Sequence, residues 1–163
     1  MAGMSPLQIR AVTEADVPLL LEFIHGIAEY ERLDHEVVAT EESLRHALFG
    51  SRPSAEAVLA FWEGEAAGFA VFFTNFSTFV GRAGMYLEDL FVKPAFRRRG
   101  IGRALFLHLA GLAATRHCGR FEWVALDWNE PAARFYEELG ARRLEEWRLY
   151  RMDAAALQRA VSA

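Results

Sequence analysis

The stretch Arg97-Arg98-Arg99-Gly100-Ile101-Gly102-Arg103 most narrows what this chain can fold into. It packs four arginines and two glycines into seven positions. An apolar, strand-like run ends just before it at Val92, and a helical apolar pattern begins within it at Ile101. A turn of this kind, between a strand and a helix, belongs to an α/β layer structure. Its glycines let backbone N–H groups approach a ligand closely. The helix start adds unpaired donors and a partial positive charge. The arginines add planar forks of donors suited to phosphate oxygens. Together these groups suit a pyrophosphate. The loop is not a Walker loop, because no Gly-Lys-Ser/Thr follows. It is a poor dinucleotide fingerprint, because Leu105 stands where a third glycine belongs. A solvated basic turn is the competing reading, and the strand–loop–helix setting argues against it.

The rest of the chain supplies flanking elements. Leu7 to Val12 reads as a strand, and Thr13-Glu14-Ala15-Asp16 as a capping box. A helix follows to about Leu33, with Val17, Leu20, Leu21, Ile24 and Ile27 at helical spacing. Thr40 opens a second helix, broken at Gly50 to Pro53. Ala57 to Trp62, Ala67 to Phe76, Met85 to Val92 and Phe121 to Leu126 read as strands. Ile101 to Thr115 reads as a helix between the last two. Asn129 caps a further helix, with Pro131 in its first turn and Gly140 at its end. Arg142 to Glu146 and Trp147 to Asp153 read as final strands, and the tail from Ala154 is unassigned. The order is β-α-α-β-β-β-α-β-α-β, with one β more at the end, in a mixed α/β fold.

Composition closes several alternatives. At 163 residues and 53% hydrophobic the chain reads as a single domain, 1–163, with its core at about 7–153. A net charge of −4 argues against coating nucleic acid by bulk electrostatics. One cysteine, Cys118, leaves no intrachain disulfide and no cysteine-based zinc site. His25, His35, His46, His108 and His117 lack ligand spacing, so no metal is expected. No apolar run is long enough to span a membrane, and Met1 to Pro6 lacks the features of a leader. These readings point to a cytoplasmic protein with neither nucleic-acid nor membrane partners.

The sequence resembles the GNAT superfamily of acetyl-CoA-dependent N-acetyltransferases. Arg97-Arg98-Arg99-Gly100-Ile101-Gly102 fits that family's Arg/Gln-x-x-Gly-x-Gly/Ala motif, and Asn129 to Ala141 is similar to a second family motif. Ala28-Glu29-Tyr30-Glu31, Tyr86 to Val92, Trp128-Asn129-Glu130-Pro131 and Trp147-Arg148-Leu149 are similar to the diamine (spermidine/spermine) acetyltransferase branch. The resemblance implies a mostly antiparallel central sheet flanked by helices. It also implies acetyl transfer from acetyl-CoA to a primary amine of a polyamine, a diamine or a thialysine-like amino acid, in a homodimer. Carried over residue by residue, Leu90, Phe91 and Val92 would offer backbone groups to the pantetheine arm. Arg97 and the loop Arg98, Arg99, Gly100, Ile101, Gly102 and Arg103 would cradle the pyrophosphate. Asn129, Glu130, Pro131 and Ala132 would flank the cofactor. Tyr136 would be the acid beside the CoA sulfur. Tyr30, Glu31, Glu88, Glu122, Trp123 and Val124 would line the amine site, joined by Glu145 or its neighbour Glu146. The segment from Gly140 to Trp147 is shorter here than in the animal enzymes, and Glu137 and Glu138 replace basic residues that follow their tyrosine.

The residues have their own chemistry. A primary amine is protonated at neutral pH and attacks only after losing a proton, which a carboxylate can take directly or through water. Glu88, in an otherwise apolar strand, is the best candidate; the competing reading is an edge carboxylate facing water. A hydroxyl at Tyr136 can protonate a leaving thiolate; the competing reading is a core tyrosine. Leu90-Phe91-Val92 could stabilise an oxyanion only with an amide free of sheet pairing, as beside a bulge or splay. Glu29, Glu31, Asp34, Glu36, Glu88 and Asp89 would favour a cationic acceptor. A peptide acceptor and a non-catalytic CoA-binding sensor are the alternatives.

Overall fold

The computed structural model describes residues 5–162, so most of the Met1 to Pro6 reading and Ala163 lie outside it. The chain forms two compact units, one ending at Val124 and one starting at Ala125.

The first unit holds β1 (Leu7–Ala11), α1 (Val17–Tyr30), α2 (Glu41–Phe49), β2 (Glu56–Trp62), β3 (Glu65–Ser77), β4 (Arg82–Val92), α3 (Ile101–Thr115) and β5 (Phe121–Glu122). The strands form one sheet in the order β1-β2-β3-β4-β5, antiparallel until the parallel β4–β5 pair. That last pair needs a crossover, and α3 is the crossover. Each face of the sheet carries an apolar layer because alternate residues point to opposite sides. Phe23, Ile27 and Leu48 from α1 and α2 close over Leu59, Phe69 and Phe91 on one face. Leu90 and Val92, of opposite alternation, lie against α3 at Gly102. The aromatic set divides: Phe69 and Phe72 are buried, whereas Phe76 and Phe79 are exposed on the β3–β4 hairpin.

Two expected boundaries shift. Asp16 accepts the Thr13 N–H at 2.7 Å, as the capping box requires, but α1 ends at Tyr30 instead of Leu33. Leu33 N–H donates to Ala28 O at 2.8 Å and Arg32 N–H to Glu29 O at 3.0 Å, while Arg32 takes φ 64°. This is a Schellman turn with arginine in the position glycine usually holds. The strand expected at Phe121 to Leu126 covers only Phe121–Glu122. Its partner β4 bulges just beyond the paired residues, and a bulge bends the strand away from its neighbour.

The second unit holds α4 (Glu130–Glu138) and α5 (Ala154–Val161). Asn129 caps α4 by accepting from Ala132 N–H at 3.4 Å, and Gly140 follows it at φ 93°. The strands expected at Arg142 to Glu146 and Trp147 to Asp153 are not formed. Leu144, Trp147 and Leu149 give an extended-looking pattern. The chain instead turns, with Trp147 N–H on Leu144 O at 3.3 Å and Arg148 Nη1 on the carbonyls of Glu145 (2.7 Å) and Trp147 (3.1 Å). Carbonyls held this way are lost to a ladder. The unassigned tail becomes α5, capped by Asp153 accepting from Ala156 N–H at 2.7 Å. No described helix is long and apolar enough to cross a membrane.

Candidate active site

The loop between β4 and α3 is built as a cluster of open donors. Arg98 takes φ 64° and Gly100 φ 74°, both left-handed. For Arg98 that conformation costs on the order of 1 kcal/mol; glycine adopts it freely. Alternation of left- and right-handed residues points successive N–H groups into one concavity. Among the described residues, the N–H groups of Arg98 through Arg103 donate to no backbone carbonyl. A Cβ added at Gly102 would sit 3.7 Å from Val92 Cγ2 and 3.8 Å from Leu90 Cδ2, an ordinary contact. The fold therefore does not demand glycine there. Open donors and a bare backbone together fit the diphosphate of acetyl-CoA.

The arginines do not act as one group. Arg97 turns back from the loop: its N–H donates to Pro94 O at 3.3 Å and its Nε to Val92 O at 3.1 Å. Its Cζ lies 5.0 Å from the Tyr30 ring centroid and 5.8 Å from that of Phe91. Stacking and a carbonyl thus hold the Arg97 side chain on the α1 side of the loop. Arg99 lies over Trp62 at 5.3 Å and Phe96 at 5.5 Å. Arg98 and Arg103 are the loop arginines with no ring contact of this kind among the described residues.

β4 presents the residues next to that loop. Asp89 pairs with Val71 and Leu87 with Phe72, so Glu88 has no partner opposite it and forms a β-bulge. On the other edge, pairing with β5 stops at Tyr86↔Glu122. No described strand pairs with Leu87 through Val92 on that edge. Along that edge the backbone of Leu90-Phe91-Val92 is left without a strand partner among the described residues.

The bulge also gathers charge. Burial, then the charges of Glu88 and Glu31, push the Asp89 carboxyl up to about 7. Burial, then Glu88, raises Glu31 as well. Three carboxylates thus sense one another where the end of α1 meets the bulge. Strict strand alternation would send Glu88 and Asp89 to opposite faces; the bulge is what lets both act with Glu31, within the acidic set expected from sequence. Among the described residues, no three His, Cys, Asp or Glu side chains form a metal-ligand group.

The remaining expected residues are placed as follows. Tyr30 stacks under Arg97 at the end of α1. Glu122 pairs with Tyr86 in the ladder. Trp123 packs edge-on against Phe106 at 5.1 Å, and Val124 is exposed. In the second unit, Glu130, Pro131 and Ala132 form the first turn of α4 and Tyr136 follows one turn later. Glu145 lies in the turn after that helix, its carbonyl bound by Arg148.

Comparison with known proteins agrees with this geometry. The model of the Acetyltransferase (GNAT) family matches residues 23–141. The chain is 36% identical to a thialysine N-epsilon-acetyltransferase of Caenorhabditis elegans, over 96% of this chain and 98% of that one. It is 34% identical to an L-ornithine N5-acetyltransferase of Arabidopsis thaliana, over 93% and 86%. Its fold superposes on an integron cassette protein from the mobile metagenome of V. cholerae with TM-score 0.80, 30% identity and coverage of 99% and 100%. With the open donor loop, the unpaired edge of β4 and these matches, the chain belongs to the acetyltransferase (GNAT) family and is one of its N-acetyltransferases.

Proposed function

We propose that this enzyme transfers the acetyl group of acetyl-CoA to the terminal primary amine of a small cationic acceptor, a diamine, a polyamine or a thialysine-like amino acid. The carboxylate cluster of Glu31, Glu88 and Asp89 carries this reading, because a site of that charge favours an ammonium group and repels an acid. Relatives that act on ornithine and on thialysine support it.

Acetyl-CoA, when bound, supplies an activated thioester. The loop amides from Arg98 to Arg103, with the side chains of Arg98 and Arg103, hold its diphosphate. The backbone of Leu90, Phe91 and Val92 orients the pantetheine arm, and Asn129 through Ala132 flank the cofactor. Tyr30, Glu31, Glu122, Trp123, Val124 and Glu145 line the acceptor site. Glu88 binds the ammonium and takes its proton, directly or through water. Tyr136 gives a proton to the departing sulfur, a role taken from the family motif. One domain carries all of these residues, in a cytoplasmic homodimer without a metal; the dimer rests on the resemblance and on the exposed Phe76 and Phe79.

The test is purified protein with acetyl-CoA and a panel of ornithine, lysine, thialysine, putrescine and spermidine, followed by thiol release and mass of the product. Thiol release with at least one amine is expected. Release no faster than without amine, across the panel, overturns the reading.

A further inference from the structure

A groove of about 760 Å³ runs along α1, lined among others by Glu22, His25, Glu29, Tyr30, Lys93 and Arg97. Tyr30 in its lining is the chain neighbour of Glu31, which places the groove beside the carboxylate cluster. Its charge is mixed, unlike that cluster. Glu22, Glu29 and Asp34 bring negative charge, and Lys93 and Arg97 bring positive charge.

Most of these charges are already engaged. Lys93 Nζ pairs with Glu22 at 3.5 Å and lies 4.8 Å from the Phe23 ring centroid. Asp34 Oδ1 meets His25 Nδ1 at 2.9 Å. Arg97 differs. Its Nε is bound to Val92 O and its plane rests near Tyr30 and Phe91, which fixes the guanidinium. Its two Nη groups, however, make no hydrogen bond among the described residues. A guanidinium held by its stem, with both outer nitrogens free, is a ready fork for a carboxylate. Glu29, in the same groove, suits the α-ammonium group beside that carboxylate.

Resting on the acetyl-transfer reading above, we propose that Arg97, assisted by Lys93, binds the α-carboxylate of an amino-acid acceptor that carries a second, terminal amine. The groove then holds the zwitterionic head while the terminal amine reaches the cluster around Glu88. A diamine offers Arg97 no anion. The enzyme therefore selects ω-amino α-amino acids over the diamines that differ from them only by the missing carboxylate.

Matched acceptor pairs test this: ornithine against putrescine, and lysine against cadaverine, with kcat/KM measured for each on the wild type, Arg97→Met, Arg97→Lys and Lys93→Met. The wild type is expected to favour the amino acid in both pairs. In Arg97→Met that ratio falls roughly tenfold or more, the worth of a charged hydrogen-bonded contact. Arg97→Lys, which keeps the charge, recovers part of it, and Lys93→Met loses less than Arg97→Met. Transfer to both members of each pair with equal kcat/KM in the wild type overturns the proposal and leaves acetyl transfer standing. An unmoved ratio in Arg97→Met, with a raised acetyl-CoA KM for every acceptor, also overturns it and returns Arg97 to the cofactor. Absence of transfer to all four amines, with transfer to spermidine, overturns the proposal and leaves acetyl transfer standing; absence with spermidine and thialysine as well overturns the acetyl-transfer reading itself.

Discussion

Glu122 pairs with Tyr86 at the last rung of the parallel β4–β5 ladder, and β4 bulges at Glu88 immediately beyond. One structural event therefore does two things. It accompanies the unpaired edge of β4 along Leu90 to Val92, and it leaves the exposed Glu88 carboxylate where its charge acts on both Glu31 and Asp89. In the proposed reaction, cofactor geometry and acceptor chemistry are set by the same irregularity.

Glu88→Gln tests the acceptor half. The amide keeps the shape but takes no proton. Turnover at pH 7 should fall on the order of 10²-fold, the usual worth of a positioned base. The loss should shrink as pH rises toward the amine's own pKa of about 10, where the acceptor deprotonates unaided. Rates across pH for both proteins decide it, and a deficit constant with pH would remove Glu88 as the base.

Gly102→Ala tests the cofactor half. An added Cβ meets only ordinary contacts within the chain. Alanine in the first turn of a helix is better than glycine, so the variant should gain about 0.5–1 kcal/mol of stability. Its affinity for CoA should stay nearly unchanged, because the methyl group faces Val92 and Leu90 and the family motif admits alanine at this position. Denaturant unfolding and calorimetry with CoA measure the two effects. Absence of CoA binding to both the wild type and the variant would sink the assignment of this loop.

Asp89→Asn tests the buried charge. In the folded protein Asp89 titrates at about 7, against 3.8 when free. A carboxyl whose folded value is raised stabilises the fold below its unfolded value, and that stability is lost as pH rises to the folded value. The wild type should therefore lose stability between about pH 4 and pH 7, by roughly 2 kcal/mol after allowing for remaining solvent contact. The asparagine variant should show a flatter profile over that window. Urea midpoints at pH 5 and pH 8 compare them.

Tyr136→Phe removes one hydroxyl from α4. Turnover should drop on the order of 10²-fold while CoA affinity stays nearly constant, because only proton delivery is lost. Stopped-flow turnover and CoA titration measure each separately. Full turnover in the variant would take Tyr136 out of the reaction.

The loop at Arg97 to Arg103 was legible because its chemistry is local: glycines, arginines and a helix start lie within one turn of chain. The strands through Val92 were legible because alternation of apolar residues survives in them. The bulge was not, since a single residue slipping out of register leaves no mark on composition. The direction of Arg97 depends on rings at Tyr30 and Phe91, far apart in sequence. The segment after Gly140 misled because Leu144, Trp147 and Leu149 mimic a strand while Arg148 ties the backbone into a turn. The final helix did carry a signal, an aspartate at 153 ahead of three alanines, which goes unread if attention stays on apolar spacing.

The open amides of the β4–α3 loop carry a further consequence. Their hydrogens are protected by no acceptor among the described residues, although they lie beside a well-packed helix. In deuterated solvent they should exchange as fast as those of a frayed terminus, while Leu105 and Leu109, deep in the same helix, exchange slowly. Occupancy of the loop would thus register as a local slowing of isotope uptake, residue by residue, before any product forms.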